Sequence, residues 1–259
     1  MGHKRLSTIA TLGFLIGVGA LAALFAGAYG YREGYWGYPT ALLTITKYAT
    51  YAGAGAVVLS LIGLGATLPG GNRYGLFISL IGLAAGGLSA GYVGNQYFIV
   101  RTVPFIHDVS TDVTNPPRFV AVLAAREAYG TERGEEMNDL TYTPEVALQQ
   151  QAGYPDIEPL VVAASPAEVY EKAEALAEAL EWEFVAQDPQ AGRIEATATS
   201  RFYKFKDDIV VRLTPTGTGT AVSTRVDVRS ASRVGRSDVG VNATRIRGYL
   251  DALKNATSG

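Results

Sequence analysis

Charge is almost absent from the first hundred residues of this 259-residue chain. Up to Val100 the only ionisable side chains other than tyrosine are His3, Lys4, Arg5, Arg32, Glu33, Lys47 and Arg73. Nearly all the Asp, Glu, Lys and Arg lie beyond, so membrane-like composition precedes globular composition. Three apolar runs occupy the first part: residues 6–29 carry no charge, 42–68 only Lys47 near their start, and 74–100 none. At about 1.5 Å rise per residue, each run is long enough to cross a hydrocarbon core of roughly 30 Å. Three transmembrane helices are therefore expected, with Lys47 snorkelling to the interface. A cleaved signal peptide is the rival for the first run, but that run exceeds a signal h-region and two more follow.

The basic residues set an expected orientation. Lys4 and Arg5 precede the first span, and Arg73 lies in the turn "PGGNRYG" between the second and third. By the positive-inside rule both belong on the cytoplasmic side. The opposite loop, "GYREGYWGYPT", holds Tyr and Trp of the kind that sits at headgroup level. An integral protein of a bacterial inner membrane is expected, its N-terminus cytoplasmic and its C-terminal domain periplasmic.

Small residues recur at four-residue spacing: Gly13 and Gly17, then Ala49 and Gly53, then Gly82, Gly86, Ala90 and Gly94, with Gly87 and Gly91 alongside. Such ridges let helix backbones approach closely in lipid. The three helices can pack on one another, or the third can also dock onto other integral membrane protein subunits.

The soluble part reads as an arm over residues 101–156 and a domain over 157–259. The arm is rich in Pro, Asp, Asn and Thr, which argues for turns and extended pieces, with a short helix over 119–128. In the domain, Ser165, Pro166 and Glu168 form a capping box that opens a helix. Val169, Ala173, Leu176 and Leu180 give that helix an apolar stripe, widened by Tyr170 and Ala177. "IEPLVVAA" before it reads as a strand, and four β-branched, alternating runs after it are separated by "DPQAG", "KDD" and "PTGTG". A last helix is expected over 237–256. The class is α+β: an antiparallel sheet of about five strands with two helices packed on one face.

The densest chemistry is "SASRVGRSDVGVNATRIRGYL", residues 230–250. On the last helix Val239, Ala243, Ile246, Leu250 and Leu253 form the apolar stripe, and Asp238, Asn242, Arg245 and Tyr249 form a second stripe at the edge of the core. Arg229, Arg233 and Arg236 lead into the helix, whose first turn presents unpaired N–H groups. This is one pattern for a site that holds a small anion or an anionic lipid headgroup. The other reading is an internal ion-pair network. From Glu127 to Glu183 fourteen acids face Arg133 and Lys172 alone, while Arg225 to Arg247 holds six arginines against Asp227 and Asp238.

The segment "RSASRVGRSDVGVNATRIRGYL", together with "FIHDVSTDVTNPPRF" and "YPDIEPL", resembles the DUF1499 family, whose function is uncharacterised. The similarity covers most of residues 104–255 and leaves the spans outside. It implies that the arm belongs to the domain and packs with the arginine segment. His107, Asp108, Asp112, Arg229, Arg233, Asp238, Asn242 and Arg245 would then form one neighbourhood. The resemblance implies no reaction.

His107 with Asp108 and Asp112 can be drawn as an acid–base pair or a hard-cation site. An Asp- and Thr-rich turn before "NPP" is more often a set of local side-chain to backbone hydrogen bonds. With no cysteine and His3 the only other histidine, a zinc site lacks ligands. The glycines give no nucleotide fingerprint, and an acidic domain outside the cytoplasm does not meet nucleic acid. No catalytic residues, cofactor or metal are assigned. The expected role is a non-enzymatic accessory or scaffold subunit of a larger membrane complex. The alternative is a membrane-tethered module binding an anionic lipid or small anion at the arginines. A hydrolase built on His107 and Asp108 is the third reading.

Overall fold

A computed structural model describes residues 8–67, 73–217 and 222–258. Lys4, Arg5, most of the "PGGNRYG" turn and the end of "PTGTG" lie outside the described residues. The chain divides into two compact units, Met1–Ile99 and Val100–Gly259.

The first unit holds three helices long and apolar enough to cross a membrane. They are α1 (Thr8–Arg32), a second span over Pro39–Thr67, and α3 (Arg73–Thr102). The second span begins as a π-helix over Pro39–Ile45 and continues as α2, Thr46–Thr67. Backbone approach between them is close. A methyl added at Gly13 would lie 2.6 Å from Ser60 Oγ, and one at Gly63 would lie 2.8 Å from Ala10 Cα. Methyls at Gly17 and Gly86 would meet the carbonyl oxygens of Gly82 and Gly53 at 2.7 and 2.6 Å. Ser89 Oγ donates from α3 to the Ala49 carbonyl at 3.1 Å, which ties α3 to α2. Without water to drive apolar association, this fit is what holds such helices together.

The second unit is an antiparallel sheet carried by β1 (Asp108–Ser110), β2 (Leu160–Val162), β3 (Glu183–Asp188), β4 (Arg193–Thr199), β5 (Lys206–Thr216) and β6 (Ser223–Ser232). Strand order is β1-β6-β5-β4-β3, with β2 also on β6. Both short strands share one edge of β6: β2 pairs with Thr224–Val226 and β1 with Arg229–Ala231. The expected single run 193–205 ends as a strand at Thr199. Ser200 N–H then donates to the Phe205 carbonyl at 2.8 Å, closing a turn.

Helices α6 (Pro166–Ala179) and α7 (Val241–Thr257) cover one face. Ser165 caps α6, its Oγ accepting from Glu168 N–H at 3.3 Å. The core beneath them gathers Val169, Tyr170, Ala173 and Ala177 with Ile194, Ile209, Val211, Val226, Val228, Ile246 and Leu253. Each Val, Ile or Leu side chain among them contributes about 1.5–3 kcal/mol on burial. Leu180 falls at the helix end and is exposed, because α6 stops before the stripe reaches it. Tyr249 is fully buried rather than at the core edge: its ring stacks on Trp182 at 4.9 Å and its hydroxyl donates to the Ala173 carbonyl at 2.8 Å.

The arm is more regular than its composition suggests. It holds β1, α4 (Val122–Arg133) and α5 (Pro144–Gly153). α4 packs on the other face of the sheet, over Phe119, Val122, Val210 and Ala231. Helices therefore lie on both faces, not one. Gln150 of α5 completes the outer edge of β1, accepting from Ser110 N–H at 2.9 Å and donating to the Ser110 carbonyl at 2.7 Å. A side-chain amide thus stands where a further strand would pair.

Candidate functional site

Along β6 the side chains alternate, and this alternation splits the arginine segment between the two faces of the sheet. Arg225, Asp227, Arg229, Ala231 and Arg233 face the side covered by α4 and the arm, while Val226, Val228, Ser230 and Ser232 face α7. The expected single neighbourhood is two.

On the arm side, Arg229 grips Asp108 with both ends of its fork: Nε donates to Oδ1 at 3.0 Å and Nη2 to Oδ2 at 2.6 Å. It also donates to the carbonyls of Leu140 and Pro117 at 2.6 and 3.2 Å. Its guanidinium lies over the rings of Phe119 and Tyr142. Arg233 donates through Nη2 to Asp208 at 2.7 Å, and Arg126 of α4 reaches the same carboxylate at 2.8 Å. All five of these charged groups are at most 5% exposed. Bidentate charge-assisted bonds of this kind offset the heavy cost of removing the ions from water.

Nearby, Arg212 and Arg225 both reach Asp112 and Asp227, at 2.9–3.3 Å for their Nη2 atoms. Asp112 also accepts from the backbone N–H of Thr114 and Asn115 at 3.1 and 2.8 Å, a local turn of the sort an Asp makes. Buried Glu195 of β4 accepts from Val120 and Val122 N–H, both at 3.0 Å, so a carboxylate from the sheet caps the start of α4.

On the α7 side, Asn242 accepts from Ser230 Oγ at 2.7 Å and from Arg245 Nη1, and donates to the His107 carbonyl and Ser232 Oγ. Arg245 Nη2 pairs with Asp207 at 2.7 Å. Asp238 accepts from Asn242 and Gly240 N–H at 2.6 and 3.0 Å, which closes the first turn of α7. Burial pushes the Asp238 carboxyl above its ordinary range, against those hydrogen bonds. The helix starts at Val241 rather than at 237, because Val239 and Gly240 both take positive φ, 57° and 82°. Arg236 is exposed and lies over the Phe105 ring at 5.6 Å, apart from both groups.

His107 and Asp108 do not act on each other as a dyad. Both Asp108 oxygens are held by Arg229, and the buried His107 Nδ1 has no hydrogen-bond partner among the described residues. Desolvation holds the His107 pKa below its ordinary value, outweighing the pull of Asp108. Tyr142, over Arg229, is pushed well above the usual phenol range by burial and by Asp108. Among the described residues, no three His, Asp or Glu side chains converge as a metal site.

The two faces and the six strands lie within residues 108–253, which match the model of the family described as protein of unknown function DUF1499. The chain belongs to the DUF1499 family. No match is found among curated proteins. The DUF1499 region thus includes β1, α4 and α5 of the arm as well as the sheet. The three membrane-length helices precede it.

Of the helix-packing residues, Gly82 and Gly86 sit inside the bundle. A methyl added at Gly82 would lie 2.5 Å from Ser60 Oγ. Gly87, Gly91 and Gly94 have no atom within 4 Å of an added methyl, and Ala90 is half-buried between the two sets. Sequence reasoning missed Arg126, Glu195, Asp207 and Asp208. The last two are adjacent in β5 and face opposite sides, each meeting an arginine. The "KDD" sequence predicts a turn, but the strand already begins at Lys206 and carries Asp208.

Proposed function

We infer that the protein is a non-enzymatic accessory or scaffold subunit of a larger membrane complex, its three spans docking beside helices of other subunits. The observation that carries this is the division of the glycines on α3: Gly82 and Gly86 close the bundle, while Gly87 and Gly91 leave an exposed, backbone-deep strip on the same helix. A strip of this kind suits close approach of another helix. In this reading the bundle lies in a bacterial inner membrane with the N-terminus cytoplasmic and the DUF1499 domain periplasmic. The alternative, an anionic lipid or small anion held at the start of α7, is less favoured, because Arg229, Arg233 and Arg245 are turned to carboxylates and Arg236 alone is left open.

The test is extraction of tagged full-length protein in a mild detergent, with native mass spectrometry identifying bound proteins and lipids. A stoichiometric membrane partner is expected, lost in the Gly87→Leu/Gly91→Leu double variant, whose added side chains meet nothing inside the bundle. A lone protomer in the wild type would sink the reading.

A further inference from the structure

The face of the sheet that carries the ion pairs is not wholly covered. Beyond α4 a cleft of about 380 Å³ opens between the 115–120 segment, the β3–β4 turn and β5. Three arginines line it, Arg118, Arg193 and Arg212, around a floor of Pro117, Val120 and Val210. None of the three belongs to the arginine segment that the sequence singled out.

These arginines differ from Arg229 and Arg233 in what their donors do. Arg118 is exposed and has no hydrogen-bond or ion-pair partner among the described residues. Arg212 commits Nε and Nη2 to Asp227 and Asp112, which leaves Nη1 without an acceptor among the described residues. Arg193 lies 3.1 Å from Glu195 Oε1 and 3.7 Å from Asp188, yet its buried Nε is not aligned as a hydrogen bond to either. Two guanidinium groups thus lie against carboxylates with donors left over, and the third lies against none. Donors fixed before a ligand arrives lose little freedom on binding.

Charge decides the class of ligand. The four positive charges of Arg118, Arg193, Arg212 and the adjoining Arg225 are equalled in number by Asp112, Asp188, Glu195 and Asp227, although Arg118 itself pairs with none of them. A polyphosphate would find no surplus positive charge there, whereas a singly charged oxyanion needs only directed N–H groups. The apolar floor favours a ligand with a short non-polar body, and the volume falls within the range of small-molecule sites.

We propose that the Arg118/Arg193/Arg212 cleft binds a singly charged oxyanion, a carboxylate or phosphodiester, attached to a small apolar group. The proposal does not depend on the docking of the spans. It is tested on full-length protein in dodecyl maltoside micelles, which carry neither phosphate nor carboxylate, by ligand-observed NMR line broadening of butyrate, dimethyl phosphate and inorganic phosphate. Broadening is expected for the first two, weaker for inorganic phosphate at pH 7.5, with apparent Kd raised about tenfold by Arg118→Ala and less by Arg118→Lys. Arg201→Ala, in the turn just past the far end of β4, should leave it unchanged. Arg118 touches no carboxylate, so its loss spares the fold. Repeating the titration in phosphatidylglycerol nanodiscs separates the sources: suppressed dimethyl phosphate broadening assigns the site to a lipid headgroup, and unchanged broadening to a free solute. No broadening by butyrate or dimethyl phosphate, or equal broadening in Arg118→Ala, would overturn the proposal.

Discussion

Beneath α6 and α7 the strands present Ile194, Ala196, Ile209, Val211, Val226 and Val228, while on the other side the same three strands present Glu195, Thr197, Asp208, Arg212, Asp227, Arg229 and Arg233. Each face is covered by helix, and most of these polar residues are as buried as the apolar ones. The difference lies in how burial is made tolerable. Apolar contact is non-directional, so neighbouring side chains can shift to absorb a change in shape. A buried ion pair is directional, and losing one partner strands the other in a poorly solvated site. The arm is therefore held by specific pairs, Arg229–Asp108 and Arg126–Asp208, where α6 and α7 are held by area.

The comparison breaks most sharply at Asp208. Its carboxylate serves Arg126 and Arg233 together, so Asp208→Ala is expected to cost about 4 kcal/mol in chemical unfolding. A loss below about 1 kcal/mol would mean that water reaches this face. On the apolar side Leu253 is fully buried, and Leu253→Ala should cost about 3 kcal/mol by the same measurement, through transfer and cavity terms.

A smaller effect appears in pH. His107 is held below 6.5 by burial, so its contribution is present above pH 6.5 and lost as pH falls through the folded-state value. Asp238 is raised above 3.8, so its contribution is present below pH 3.8 and lost as pH rises through its folded-state value. His107→Gln should flatten stability between the lowered histidine value and 6.5, and Asp238→Asn should flatten it just above 3.8. Unfolding curves at stepped pH that match wild type in both variants would show that neither group is linked to folding. The smallest effect belongs to the half-exposed Lys172–Glu168 pair on α6, where Lys172→Ala should cost about 0.3 kcal/mol.

The apolar half of this comparison was legible in the sequence; of the charged half, the internal ion-pair network was legible as one reading, but its partners and the face it occupies were not. The capping box at Ser165, the stripe of α6 and the alternation of β5 each announce their element through local chemistry. The same signal is present at Thr143-Pro144, where Thr143 Oγ1 accepts from Val146 N–H and opens α5. β1 is only three residues long and exists because β6 offers an edge, a condition set about 120 residues away. Arg225, Asp227, Arg229 and Arg233 fall on alternate positions, which marks one face of a strand. Alternating charge ordinarily reads as a solvated face, and what covers this one is supplied by the distant arm. The cleft at Arg118, Arg193 and Arg212 draws on three separate segments, so no local motif contains it.

A double-mutant cycle on Asp108 and Arg229 in the full-length protein tests most directly whether the arginine segment is internal structure. Chemical unfolding would be followed by the near-UV signal of Trp182 stacked on Tyr249. The account predicts that Asp108→Ala and Arg229→Ala each lose about 3–5 kcal/mol and that the double variant loses little more than either. Single losses under about 0.5 kcal/mol that simply add would contradict it and return these arginines to the role of a ligand site.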